Sequence, residues 1–167
     1  PIIQHPDIRR QLMTMKVYVE GIRSLLYYIG MCEDRIKITE DMEEKTKYQG
    51  IVDVLIPIAK GYVTDRCFEV CSHGIQVYGG YGYIQEYPME QLLRDCRITM
   101  IYEGTNGIQA MDLLGRKLGL NKGKPIMDLL GEIQKTIASA KETAGLEDFA
   151  ARLEGAVNKL GEVALHM

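Results

Sequence analysis

The chain has 167 residues, 46% of them apolar and 26% charged, which is enough for one domain plus a small extension around a sizeable core. A net charge of −3 offers no basic surface for nucleic acid. No apolar run approaches the roughly 18 residues that span a bilayer, and residues 1–6 lack a charged leader followed by an apolar stretch.

From Asp7 to Ile38 the apolar positions Ile8, Leu12, Met15, Val19, Ile22, Leu25, Leu26 and Ile29 recur at three- and four-residue steps, the period of a long amphipathic helix. Such a helix runs roughly 45 Å and would lie along a bundle. Thr39 to Gln49, rich in Glu, Asp and Lys, reads as a partly helical connector. A second helical pattern runs from Gly50 to Tyr78, with Pro57 predicting a kink or a late start. Gly79-Gly80-Tyr81-Gly82-Tyr83 ends it, because successive glycines supply backbone conformations that a side chain forbids. Pro88 suits the first turn of a short helix carrying Leu92, Leu93 and Cys96 on one side. Thr105 is an N-cap for the next helix, which directs Ile108, Met111, Leu114 and Leu118 inward.

Gly119 to Pro125 has the composition of a linker, and two more helical patterns follow it, over 125–144 and 146–167. The second stops without a C-cap signal and the first residue is proline, so the chain reads as a fragment of a longer protein. No alternating strand pattern occurs. The expected fold is all-α: an antiparallel, up-down helical bundle over 1–118 with an appended helical pair over 119–167.

Cys67 and Cys71 are four apart on a helical pattern, and with Cys96 and His73 they offer a conceivable zinc site. No two cysteines have the CxxC spacing, however, and free cysteine is among the most buried residue types, so buried core thiols and no metal are expected. Cysteine usage of this kind fits a reducing, cytoplasmic setting. Tyr78, Tyr81, Tyr83, Tyr87 and Tyr102 gather in the part of the chain that holds the glycines. They serve either as amphipathic packing at the bundle end or as a wall for a planar ligand.

The stretch Tyr102-Glu103-Gly104-Thr105-Asn106-Gly107-Ile108-Gln109 sets one carboxylate on a glycine-hinged turn before an apolar helix. An acid there can simply complement the positive end of the helix dipole; it can also be a base. Upstream stand Gln-Val-Tyr-Gly-Gly-Tyr-Gly-Tyr-Ile-Gln-Glu-Tyr-Pro-Met-Glu from Gln76 and Leu-Leu-Arg-Asp-Cys-Arg-Ile from Leu92. These three ordered blocks resemble the C-terminal helical domain of the flavin-dependent acyl-CoA dehydrogenases.

The resemblance implies that Glu103 is the catalytic base, removing an α-proton from an acyl-CoA thioester while the β-hydrogen passes as hydride to FAD, to give a 2,3-enoyl-CoA. It implies that Gln76, Gly79 and Gly80 meet the FAD of a neighbouring subunit through main-chain atoms, that Thr105 and Gln109 also contact FAD, and that Tyr102 and Gly104 border the acyl-CoA substrate. Arg94, Asp95 and Arg97 match the family too, in a structural role. Implied with them are an acceptor resembling electron-transfer flavoprotein and a homodimer or homotetramer. The segment after Lys117 is similar to extensions in larger bacterial relatives. The family's N-terminal helical domain, its β-domain and a basic FAD-binding segment have no counterpart in these residues, so the 167 residues alone are expected neither to hold flavin tightly nor to turn over. Two other readings compete: an acyl-CoA oxidase, and a noncatalytic helical assembly module in which Glu103 is only a cap.

Overall fold

The computed structural model describes residues 1–164, which contain six α-helices and no strand. They form two compact units, the first ending at Gly119 and the second beginning at Leu120. In the first unit a 3-10 turn at Ile2–Gln4 leads into α1, Pro6–Ile38, which has proline in its first turn and Asp7 beside it. A carboxylate there faces the positive helix end, and it also accepts from Arg10 Nε (2.9 Å) and Gln11 Nε2 (2.7 Å).

The second helix, α2, runs Met42–Tyr78, so the expected connector over Thr39 to Gln49 shrinks to the three residues before Met42. Asp41 caps α2 by accepting the Glu43 amide at 2.8 Å, and the Thr39 hydroxyl donates to Glu44 Oε2 at 2.6 Å. The charged run misleads because its residues are good helix formers with little apolar periodicity: two turns of helix that bury little look like a loop when burial is the signal. Glu43 and Glu44 sit in the first turn, where acids stabilise a helix.

Helices α1 and α2 pack as an antiparallel pair around Ile29 and Cys32 of α1 and Ile51, Val52, Val54, Leu55 and Ala59 of α2. Each large side chain in this group stabilises the fold by about 1.5–3 kcal/mol relative to exposure. Pro57 lies buried inside α2, which is neither late in starting nor divided at that point. The helix forgoes one amide bond there and is held by the burial of its neighbours.

Gly79 ends α2 with φ 61° and ψ −142°, a conformation that L side chains resist, and its amide returns to the Gln76 carbonyl. A 3-10 turn over Gly79–Gly82 follows. Gly82 is buried, and a Cβ on it would stand 2.6 Å from the Ile75 carbonyl, so glycine permits the chain to fold back against α2. Pro88 then opens α3, Met89–Arg97, whose Cys96 is buried while Leu92 is 49% exposed, so the expected apolar side is narrower than the sequence implied.

Thr105 caps α4, Asn106–Asp112, and a π turn over Leu113–Lys117 continues it. The inward course expected for Ile108, Met111 and Leu114 is not found: they are 53%, 70% and 50% exposed, and Leu118 is half-buried. Amphipathic spacing marks a face that can be covered, but it does not name a cover within the same chain. In the second unit, Asn121, Lys122 and Gly123 adopt positive φ before α5, Lys124–Lys141. Helix α6, Glu147–Ala164, packs on α5 with Ile137 and Ala150 buried, and Lys141 Nζ meets Glu154 at 2.8 Å. The last three positions of the helix expected over 146–167 lie outside the described residues.

Candidate active site

Beyond α3 a 3-10 turn over Ile98–Met100 brings the amides of Ile101 and Tyr102 to the Ile98 carbonyl at 2.9 and 3.1 Å. The next two residues both have positive φ, 53° at Glu103 and 86° at Gly104. For glutamate this costs about 1–2 kcal/mol, so its surroundings must impose it. Gln109 Nε2 donates to the Glu103 carbonyl at 3.2 Å, and the Thr105 hydroxyl accepts the Ile108 amide at 3.3 Å. Gly104 serves the same lock twice: it takes the left-handed conformation, and a Cβ there would come within 3.1 Å of Gln109 Nε2. Tyr102, Glu103, Gly104, Thr105 and Gln109 thus form one turn. Glu103 and Tyr102 are exposed on it, and no hydrogen bond or ion pair among the described residues engages the Glu103 carboxylate.

Asn106, the first residue of α4, carries the densest polar contact in the unit. Its Oδ1 accepts from Lys60 Nζ at 2.9 Å, and its Nδ2 donates to the Thr64 hydroxyl (3.0 Å), the Gly61 carbonyl (3.3 Å) and Asp65 Oδ1 (2.8 Å). The Thr64 proton goes to the Lys60 carbonyl at 2.7 Å, which leaves its oxygen free to accept. A cation on one side and a carboxylate on the other fix which way the amide points. Sequence reasoning missed this group. Its members are 41 to 46 residues apart, and no periodic or local pattern connects them.

Gln76, Gly79 and Gly80 form a second cluster at the end of α2, all exposed, and Cβ atoms added to the two glycines would meet nothing within 4 Å. This end of α2 is the negative pole of its dipole, so a phosphate arriving from solvent would have to meet the main-chain amides of the 3-10 turn Gly79–Gly82, which Gly79 and Gly80 leave uncovered by side chains. Nearby, the Tyr81 and Tyr87 rings lie 5.2 Å apart and Tyr78 meets Tyr87 edge-on at 6.3 Å. The tyrosines pack on one another while staying exposed.

The sulfurs of Cys67, Cys71 and Cys96 all lie within 4.8 Å of one another, without His73, whose Nε2 is 3.9 Å from Glu69 Oε1. Burial pushes the Cys71 thiol up to about 12 and also raises Cys96. At neutral pH both are therefore protonated thiols packed between α2 and α3. Of the residues matched as structural, Asp95 accepts from Gln91 Nε2 at 2.6 Å, and the Arg97 guanidinium lies over the Phe68 ring at 6.0 Å.

The family model for the acyl-CoA dehydrogenase C-terminal domain matches residues 1–118. This chain belongs to the acyl-CoA dehydrogenase family. The match ends within one residue of the boundary of the first compact unit. Among curated relatives, a butyryl-CoA dehydrogenase of Syntrophomonas wolfei is 39% identical over 149 residues, covering 89% of this chain and 24% of the relative. A 3-methylmercaptopropionyl-CoA dehydrogenase of Ruegeria pomeroyi is 41% identical over 151 residues, 86% of the chain and 26% of the relative. A broad-specificity linear acyl-CoA dehydrogenase of Mycobacterium tuberculosis is 33% identical over 165 residues, 98% of the chain and 27% of the relative, an alignment that runs on through the helical pair. The chain spans about a quarter of the length of these relatives.

Proposed function

We propose that the protein containing this chain dehydrogenates an acyl-CoA thioester between its α and β carbons, with Glu103 as the base. One observation carries the reading: a glutamate held at positive φ, its main chain pinned by Gln109 and its carboxylate committed to no partner among the described residues, in a domain of this family. Strain at an exposed acid with free oxygens is expected where a carboxylate must meet a substrate and not a neighbouring side chain.

The reaction conserves atoms and electrons. A Glu103 oxygen takes the α-proton, the electrons of that C–H bond become the new π bond, and the β-hydrogen departs with its pair as hydride. FAD, when bound, accepts the hydride. An ordinary glutamate is far too weak for the first step, since a ten-unit mismatch in acidity is about 14 kcal/mol. An acyl chain covering the exposed Tyr102 and Glu103 would desolvate the carboxylate and strengthen it. The Glu103 amide would donate to the thioester oxygen as negative charge gathers there. Gly104 keeps the following position free of side-chain bulk.

Gln76, Gly79, Gly80, Thr105 and Gln109 would hold FAD, the first three from an adjoining subunit of a homodimer or homotetramer. Thr105 and Gln109 also have structural duties as cap and lock. Reduced flavin would pass its electrons to an acceptor resembling electron-transfer flavoprotein. The test is Glu103→Gln in the full-length protein: substrate should no longer bleach the flavin, with a loss of at least about 100-fold, while FAD content is retained. Bleaching at the original rate would remove Glu103 from the role.

A further inference from the structure

We infer that Asn106 is a positioning residue for Glu103, setting where the base stands by clamping the start of α4 to α2. The inference rests on Glu103 being the base. Both contacts that shape the Glu103 turn come from its own neighbourhood: Gln109 binds the Glu103 carbonyl, and Thr105 caps the same short helix. They fix the shape of the turn but not its place, because they travel with α4.

Helix α4 proper has seven residues, too few to be stable alone, and its apolar positions Ile108 and Met111 are more than half exposed. Its place against α2 therefore depends on specific ties. Asn106 makes four of them to one short stretch of α2, through Lys60, Gly61, Thr64 and Asp65. A further polar tie lies past the far end of α4, where Lys117 Nζ stands 3.5 Å from Asp53 Oδ1.

The polar matching is complete at Asn106. The amide oxygen is spent on an ammonium, and both amide hydrogens have acceptors, one of them ionised, so the bonds are of the stronger, charge-assisted kind. An alanine there leaves Lys60 and Asp65, both half-buried, without this bridge and lets the first turn of α4 shift. Only Gly104 and Thr105 separate Asn106 from Glu103, and a displacement of about 1 Å at a reacting group costs about 100-fold in rate. The residue acts on the rate of proton removal and not on the affinity for acyl-CoA, which it is not proposed to touch.

The experiment uses the full-length enzyme with bound FAD and follows anaerobic flavin reduction by an acyl-CoA and by the same substrate deuterated at the α-carbon. Asn106→Ala should slow reduction about 10- to 100-fold, leave KM within about twofold and enlarge the α-deuterium isotope effect. Lys60→Met, which removes one tie, should show the same signature more weakly and decides the matter if Asn106→Ala does not retain FAD. In a Glu103→Gln background, Asn106→Ala should add no further loss, since the two act as one unit. Normal reduction with an unchanged isotope effect in either folded variant, or a raised KM at unchanged kcat, overturns the positioning role. Glu103→Gln separates this from failure of the base itself: an active Glu103→Gln enzyme sinks the assignment of the base, whereas an inactive one beside a fully active Asn106→Ala enzyme sinks only the clamp.

Discussion

Replacing Glu103 by glycine should stabilise the domain while removing its proposed base. Glutamate at φ 53° pays about 1–2 kcal/mol that glycine does not. Glycine returns part of this through the greater freedom of its unfolded chain, about 0.5–1 kcal/mol. Nothing else is lost, because the Gln109 bond ends on the Glu103 carbonyl, which glycine keeps, and the exposed side chain has no partner among the described residues. The net gain is therefore about 0.5–1 kcal/mol. Glu103→Ala is the control: it removes the same carboxylate but keeps a Cβ in the left-handed region, so its stability should stay within about 0.5 kcal/mol of the parent. Urea unfolding of the three full-length proteins, with FAD content matched, gives the comparison. Equal midpoints for the glycine and alanine variants would refute the strain argument, whatever their activity.

Two of the three glycines that follow α2, Gly80 and Gly82, should separate by role. Gly82→Ala forces a Cβ to 2.6 Å from the Ile75 carbonyl and should cost about 1–3 kcal/mol in unfolding experiments, whereas Gly80→Ala enters open space, should leave unfolding unchanged, and should lower FAD retention in the full-length protein. The Cys71 thiol is raised from 9.0 to about 12 in the fold, so the unfolded chain gives up its proton first as pH climbs, and the folded state loses stability between about pH 9 and 12. Urea midpoints measured across that range should fall, and the part of the fall owed to this thiol should disappear in Cys71→Ala; an unchanged slope in the variant would count against the burial argument.

Local signals in the sequence were accurate wherever the chain makes its own structure. The glycine stop at Gly79 and the Thr105 cap need only neighbouring residues, and both occur as read. Signals that require knowing what covers a surface misled. Glu43 and Glu44 begin a helix whose first turns carry charges, and Ile108, Met111 and Leu114 have core spacing on an exposed face. Of the two outcomes that Pro57 allowed, the late start does not occur, because α2 begins at Met42 and buries the proline within it. At the candidate site, the turn from Tyr102 to Gln109 was legible as a turn. Its attachment was not: nothing near Asn106 in the sequence marks its contacts, and the partners that give it meaning lie more than 40 residues upstream.

The π turn at Leu113–Lys117 acts as a one-residue spacer. The Leu118 amide reaches back five positions to Leu113, at 3.0 Å, where a regular helix would reach four. Each residue advances a helix by about 100°, so the wider loop changes the phase of everything after it, and Lys117 comes to Asp53 on the azimuth this sets. A homologue lacking one residue in this stretch would present a different side chain to α2 even if every letter around the gap were identical. Counting residues between the Glu103 motif and the lysine should therefore say more about whether the far end of α4 is anchored than identity in that stretch does.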